Sequence, residues 1–386
     1  MAEAAFAFSQ RVTQDYLGLD RLHRAANPDD AWGLVVLNMS SLEPTVFADF
    51  AHARETFEHL ERDAQALETP DRHVYYSELC RSALGVIDWN QRAMDLDEQV
   101  TRFLAAPSVP AQPEALEQLR AQLHNALGGL GFAGTLETRA AAWEAAHRVD
   151  PGDLETTMNA LIAEARERCT ALFGPIDCPN PTVHIVSAVG FNARCDFARL
   201  RIELNRDPIL TRPALKHLVL HEVFPGHCLQ FEWRRRAAQE GWGYEDALLS
   251  LVKSASSPLF EGLADIGGQL LDWENPDDLV QNLMGRYRAG LGTVAAHGLH
   301  ALGWTLPEAA TYLRRHALIG GEGWVQNRLA YIAGRGRGAH IWSYWLGEQR
   351  LRPLVAPQPD HATLRFLYGR THSLASVALQ KGQETS

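Results

Sequence analysis

Residues 221–230 read HEVFPGHCLQ, and no uninterrupted helix can run through them. Pro225 lacks an N–H, its ring clashes with the preceding turn, and it pushes Phe224 out of the α region. Gly226 loosens the backbone further. Yet the stretch opens with His221-Glu222, the start of the HExxH pattern in which two histidines on one helix face hold zinc and the glutamate acts as general base. The place due to the second histidine is taken by Pro225, and the next histidine is His227. On an ideal helix six residues turn through about 600°, which would aim His227 about 120° away from His221. A bulge or broken turn at Pro225-Gly226 would return it to the His221 side. The simpler outcome is a helix that stops at Phe224 and leaves His227 on a surface turn.

A hydrolytic zinc needs about three protein ligands, an open position for water, a carboxylate base beside that water, and acceptors that fix the imidazole tautomers. His221 and Glu222 can supply the first ligand and the base. Downstream, Glu261-Gly-Leu-Ala-Asp265 sets two carboxylates four apart on one helical face. One can bind the metal while the other accepts a hydrogen bond from a ligand histidine. A rival ligand set leaves the Pro225-Gly226 break without a purpose: His217 and His221 lie four apart and, with Glu261, would form a conventional three-ligand site.

The rest of the chain predicts a mainly α protein. Apolar positions recur at three- and four-residue spacing over 43–66, 71–104, 113–127, 136–148 and 152–172. FGPIDCPNPT at 173–182 breaks the pattern and divides a helical region, 1–180, from a second region, 181–386. VHIVS (183–187) and RLRIELN (199–205) read as short strands, the latter alternating Leu200, Ile202 and Leu204 with polar residues. Thr211 with Pro213, and Ser257 with Pro258, read as helix starts. GRGRG at 334–338 interrupts the C-terminal helices. Gly129–Gly134 matches GxGxxG, but a helical pattern precedes it where a dinucleotide site needs a strand, so it reads as a helix–helix turn.

Composition narrows the function. Of 386 residues, 46% are apolar, enough for a sizeable core, and the net charge of −11 argues against a nucleic-acid binder. The five cysteines lack paired or CxxC spacing, which fits a reducing cytoplasm. The N-terminus lacks a signal-peptide pattern and no stretch is long and apolar enough to span a membrane.

HEVFPGHCLQ resembles the HExxPGHxxQ signature of the domain-of-unknown-function-885 family, a largely bacterial group of zinc-peptidase-like proteins. EGLAD resembles the ExxxD helix of the thermolysin-like gluzincins. The resemblance covers roughly residues 183–352. It implies a zincin-like helical fold with a small β-sheet beside the active-site helix. It implies His221, His227 and Glu261 as ligands of Zn2+, Glu222 as general base and Asp265 behind a ligand histidine. The strand at 199–205 would offer an edge to a substrate main chain. NRLAYIAGRGRGAHIWSYWLG (327–347) resembles the family's C-terminal conserved region and brings Tyr331, Arg335, His340 and Tyr344 toward the site.

Each supporting residue has a functional and a plain structural role. Tyr331, Tyr344 and His340 are candidate oxyanion donors, or core residues with satisfied polar atoms. Arg335 and Arg337, set between glycines, are a candidate carboxylate clamp or a solvated loop. Gln230 is expected behind the ligands or in helix packing, and Cys228 as a small buried residue. The leading expectation is a zinc-dependent hydrolase acting on a small peptide or an amide-containing small molecule. The alternatives are a zinc Lewis-acid enzyme acting on a small biosynthetic metabolite and a non-catalytic metal-binding helical protein.

Overall fold

The computed structural model describes residues 2–384 and is mainly helical, with two small sheets. The chain begins with α1 (Ala2–Ala26), then β1 (Val35–Asn38), α2 (Phe50–Gln65), α3 (Pro70–Gln91), α4 (Leu96–Leu104), α5 (Pro113–Gly129), α6 (Leu136–His147) and α7 (Leu154–Phe173). Two of the expected helices are shorter than their patterns. Residues 43–49 precede α2, whose Asp49 side chain accepts from the His52 N–H. The run 71–104 is two helices, divided at Arg92–Asp95, where the Asp95 side chain caps α4 through the Glu98 N–H. Polar capping there outweighs a continuous apolar stripe. Gly129–Gly134 joins α5 to α6, as a helix–helix turn should.

Strands β2 (Thr182–Val186), β3 (Ala193–Asp196) and β4 (Arg201–Asn205) follow. β4 is central, parallel to β2 and antiparallel to β3. The expectation that strand 199–205 offers a free edge is therefore wrong: both its sides are paired. The edge beside the site belongs to β3, whose four residues, ARCD, are too short and polar to announce a strand. Ile202 and Leu204 are fully buried, while Leu200 falls outside the strand in a left-handed conformation, φ 48°.

The remaining elements are α8 (Arg212–Glu222), α9 (His227–Gln239), β5 (Leu249–Leu251), α10 (Ser257–Asp265), α11 (Gly267–Leu270), α12 (Pro276–His300), α13 (Leu306–His316), α14 (Gly321–Ala333), α15 (Arg337–Leu351), α16 (His361–Gly369) and α17 (Leu374–Glu384). The Thr211 side chain caps α8 through the Ala214 N–H. Ser257 does not cap α10; its hydroxyl reaches back to the Leu251 carbonyl.

Two apolar cores form, and both draw on residues from either side of the 173–182 break. One gathers α1–α6 with α12–α15. The other gathers α7, the three-stranded sheet, α8–α11 and α16. β1 pairs with β5, tying the N-terminal helices to the chain just before α10. α10 and α15 cross backbone to backbone: a Cβ on Gly262 would overlap Gly347, and one on Gly347 would overlap the Pro258 carbonyl. That crossing sets Glu261 beside His340. Among the described residues, no helix is long and apolar enough to cross a membrane.

Candidate metal centre

α8 stops at Glu222, not at Phe224. Val223 leaves helical geometry, with φ −117° and ψ −86°, and the Phe224–Pro225 bond is cis. The Gly226 backbone then lies against the His221 carbonyl so closely that a Cβ would overlap it. α9 begins at once with His227. The Leu229 and Gln230 amides bond back to the Val223 and Gly226 carbonyls at 3.2 and 2.9 Å. His227 thus opens a new helix that turns back toward His221, and the two rings stand edge to face, 4.7 Å between centroids.

α10 completes the cluster. Glu261 Oε2 lies 3.2 Å from His221 Nε2 and 3.5 Å from His227 Nε2, and the three donor atoms fall within 4.8 Å of one another. All three side chains are buried. Glu261 Oε2 nevertheless has no hydrogen-bond partner. Donor atoms this close that do not bond to one another fit a shared cation. Ligand bonds of about 2.0–2.1 Å to a tetrahedral zinc put ligand atoms about 3.3 Å apart. Burial alone would raise the Glu261 carboxyl; the surrounding His221, His227 and His340 imidazoles hold it well below the usual range.

The rival set shares His221. His217, His221 and Asp265 also form a close group, with His217 Nε2 3.6 Å from Asp265 Oδ1. The two ring nitrogens of His221 separate the sets. Its Nδ1 lies 2.8 Å from Asp265 Oδ1, a hydrogen bond, and so its Nε2 faces Glu261 and His227. Glu261 is not part of the group around His217.

Glu222 is buried, and its Oε2 accepts the Cys195 N–H of β3 at 2.9 Å. With His221 it lines a cavity of about 190 Å³, shared with His217, Asp265, Tyr331 and Tyr344. His227 and Glu261 are not on its wall. The Tyr331 hydroxyl is buried without a partner, and its ring packs on Tyr344 and Trp32. Burial pushes both phenols above their usual range. His340 sets Nε2 3.5 Å from Glu261 Oε1 and stands edge-on to Trp32 and Tyr344. It therefore backs the cluster and is absent from the cavity wall. Gln230 is fully buried, donating to the Phe260 carbonyl at 3.4 Å; Phe260 stacks on His227 at 4.2 Å. Cys228 is buried.

Arg335 is misplaced by the sequence reading. It is exposed and lies over Trp89, 4.8 Å from the ring, away from the cavity; Arg337 lies over Trp32. The glycines around them shape the α14–α15 turn, with Gly336 at φ 70°. The arginines that do line the cavity, Arg286, Arg288 and Arg328, come from α12 and α14. Their spacing carries no motif. Cys195 and Trp32 were likewise invisible, since only the tertiary fold brings β3 and the α1–β1 loop to the site.

No protein-family model matches the chain, and no curated protein matches it. Solved structures do. The structure of a "putative lipoprotein" from Colwellia psychrerythraea superposes with a TM-score of 0.54 at 14% identity, over 85% of this chain and 65% of its own. A second, a "putative lipoprotein of unknown function" from Shewanella oneidensis, gives 0.49 at 13% identity over 86% and 71%. The chain thus spans just under two thirds of the Colwellia structure, and what they share is the fold.

Proposed function

We propose that this chain is a zinc-dependent hydrolase of a peptide or amide bond, with a zincin-like catalytic region related to the domain-of-unknown-function-885 family. The observation that carries the reading is the convergence of His221, His227 and Glu261 around an orphaned carboxylate oxygen, with Glu222 next to His221 on the cavity wall. Two imidazoles and one carboxylate are the donor set of hydrolytic zinc sites. When bound there, the metal would supply Lewis acidity to a carbonyl and acidity to a water.

The chain's own groups do the remaining work. Glu222 is fixed through one oxygen by the Cys195 N–H, which steadies the carboxylate that takes the proton of the attacking water and hands it to the leaving amine. Asp265 holds the His221 ring so that Nε2 faces Glu261. Tyr331 and Tyr344 line the cavity, and their hydroxyls would donate to the developing oxyanion. The small cavity suits a short peptide or a small amide better than a polypeptide.

Glu222→Gln tests the reading. The variant should keep the metal content of the parent while hydrolysis of a panel of dipeptides and N-acyl amino acids falls about 10²–10⁴-fold. Undiminished turnover with metal retained would remove Glu222 from the role of base. A purified protein that takes up no stoichiometric divalent metal would remove the hydrolase reading itself.

A further inference from the structure

The cavity beside Glu222 carries positive charge that the protein does not itself neutralise. Of the three arginines that line it, Arg286 is engaged: Glu348 accepts from its Nε and Nη2 at 2.8 and 3.0 Å. Arg288 and Arg328 pair with no carboxylate among the described residues. Arg288 donates to the Ile319 carbonyl, and the Nε of each is buried without a partner. Their guanidinium carbons lie 4.6 and 5.7 Å from the Trp324 ring, and Arg328 is 5.8 Å from that of Tyr331. Glu144 acts on Arg288 only from a distance, its Oε1 being taken by the Gly320 N–H. Burial pulls both guanidinium groups down, Arg288 to about 9, and Arg328 adds to the fall at Arg288.

Two half-buried like charges around one indole are unfavourable unless an anion joins them. A planar guanidinium fork matches a carboxylate through two parallel hydrogen bonds, and Arg holds that geometry better than any other side chain. The other acids on the cavity wall are committed: Asp265 to His221, Glu348 to Arg286, and Glu222 to Cys195.

We infer that Arg288 and Arg328 bind the C-terminal carboxylate of the substrate, so that the cleaved bond lies close to a free carboxylate. The choice of bond rests on the hydrolase reading above; the anion site does not. The cavity, at about 190 Å³, is below the roughly 300–1,000 Å³ of sites for drug-sized ligands. A substrate of one or two residues beyond the acyl group fits that size.

Binding calorimetry on the full chain, as purified and again after EDTA treatment, separates the two readings. The probes are N-acetylglycine, its neutral amide N-acetylglycinamide, and inorganic phosphate. N-acetylglycine should bind at least tenfold more tightly than the amide in both preparations. Arg288→Gln and Arg328→Gln should each remove most of that preference, while Arg335→Gln leaves it intact. Equal binding of acid and amide by the parent protein would overturn the proposal without any variant. So would folded Arg288→Gln and Arg328→Gln proteins that keep the preference. Phosphate binding more tightly than N-acetylglycine, with loss in the same variants, would overturn the carboxylate assignment in favour of a phosphorylated ligand. A carboxylate preference in both preparations, with no hydrolysis by the metal-loaded protein, leaves the anion site standing and sinks the hydrolase reading alone.

Discussion

His221 Nδ1 sits 2.8 Å from Asp265 Oδ1, one helical turn beyond Glu261 on α10. One short helix therefore supplies both a partner for the Nε2 side of the imidazole and the acceptor for its other nitrogen. Asp265→Asn should leave the fold intact and weaken metal binding about 10–100-fold, the usual effect of losing such an acceptor. Competition with a chromophoric chelator measures it. The same assay separates the two candidate sets. If His217→Ala and Asp265→Ala abolish binding while His227→Ala does not, the metal lies in the rival set.

Metal uptake should expel a proton. Burial lowers the affinity of His221 for its proton, but Asp265 and Glu261 outweigh burial and hold the imidazole well above its ordinary range in the metal-free protein. Its interactions therefore add stability that is complete below about pH 6.5 and is lost as pH rises through the elevated folded value. Glu261, held low, contributes above about pH 4.5 and loses that contribution as pH falls through its depressed folded value. The metal-free protein should thus be favoured between these limits. The thermal shift caused by zinc should grow from pH 6 to pH 8, because the metal competes with the proton on His221. Calorimetry in two buffers of different ionisation enthalpy at pH 7 should register the released proton; identical heats would contradict this account.

Gly226→Ala is the sharpest test of the α8–α9 junction. A Cβ there would overlap the His221 carbonyl, and backbone cannot swing away as a side chain can. The variant should lose about 1–3 kcal/mol in urea unfolding and also lose metal affinity, since the only relief is to move α9 and His227 away from α8. Gly129→Ala, on a helix with open space around the added methyl, is the control and should be neutral or slightly stabilising. Loss of stability with metal affinity unchanged would show that the two helices can separate without moving His227.

Much of this site was legible because its signals are local. A proline and a glycine between two histidines force a break wherever the chain folds. ExxxD places two carboxylates on one face of any helix, and the Thr211 cap and Pro213 mark the start of α8 without tertiary help. The resemblance supplied the grouping of His227 and Glu261 with His221, which spacing left open. What escaped the sequence depends on convergence. β3 is four polar-looking residues that become a strand only because β4 lies alongside. Trp32 reaches Tyr331 and His340 only after β1 and β5, more than 200 residues apart, have paired. Arg335 looked functional for its flanking glycines, which serve a turn. Arg288 and Arg328 carry no motif, and only burial without a counter-charge distinguishes them.

The setting of α8 rests on a buried ion pair one turn or so before His221. Lys216 Nζ lies 2.5 Å from Asp278 Oδ2, both side chains only 9% exposed, and over the Trp273 ring at 4.2 Å. Asp278 is pinned in turn by the capping box that opens α12: its Oδ2 accepts the Asn275 N–H, and its own N–H is bound by the Asn275 side chain. Lys216→Met fills the space but strands a buried carboxylate, and should cost about 3–5 kcal/mol in urea unfolding. Adding Asp278→Asn removes the stranded charge and keeps an acceptor for the cap, so the double variant should be more stable than Lys216→Met alone, a non-additivity expected only of residues in direct contact. If Lys216→Met costs less than about 1 kcal/mol, the pair behaves as a solvated one, and α8 is held against α12 by apolar packing.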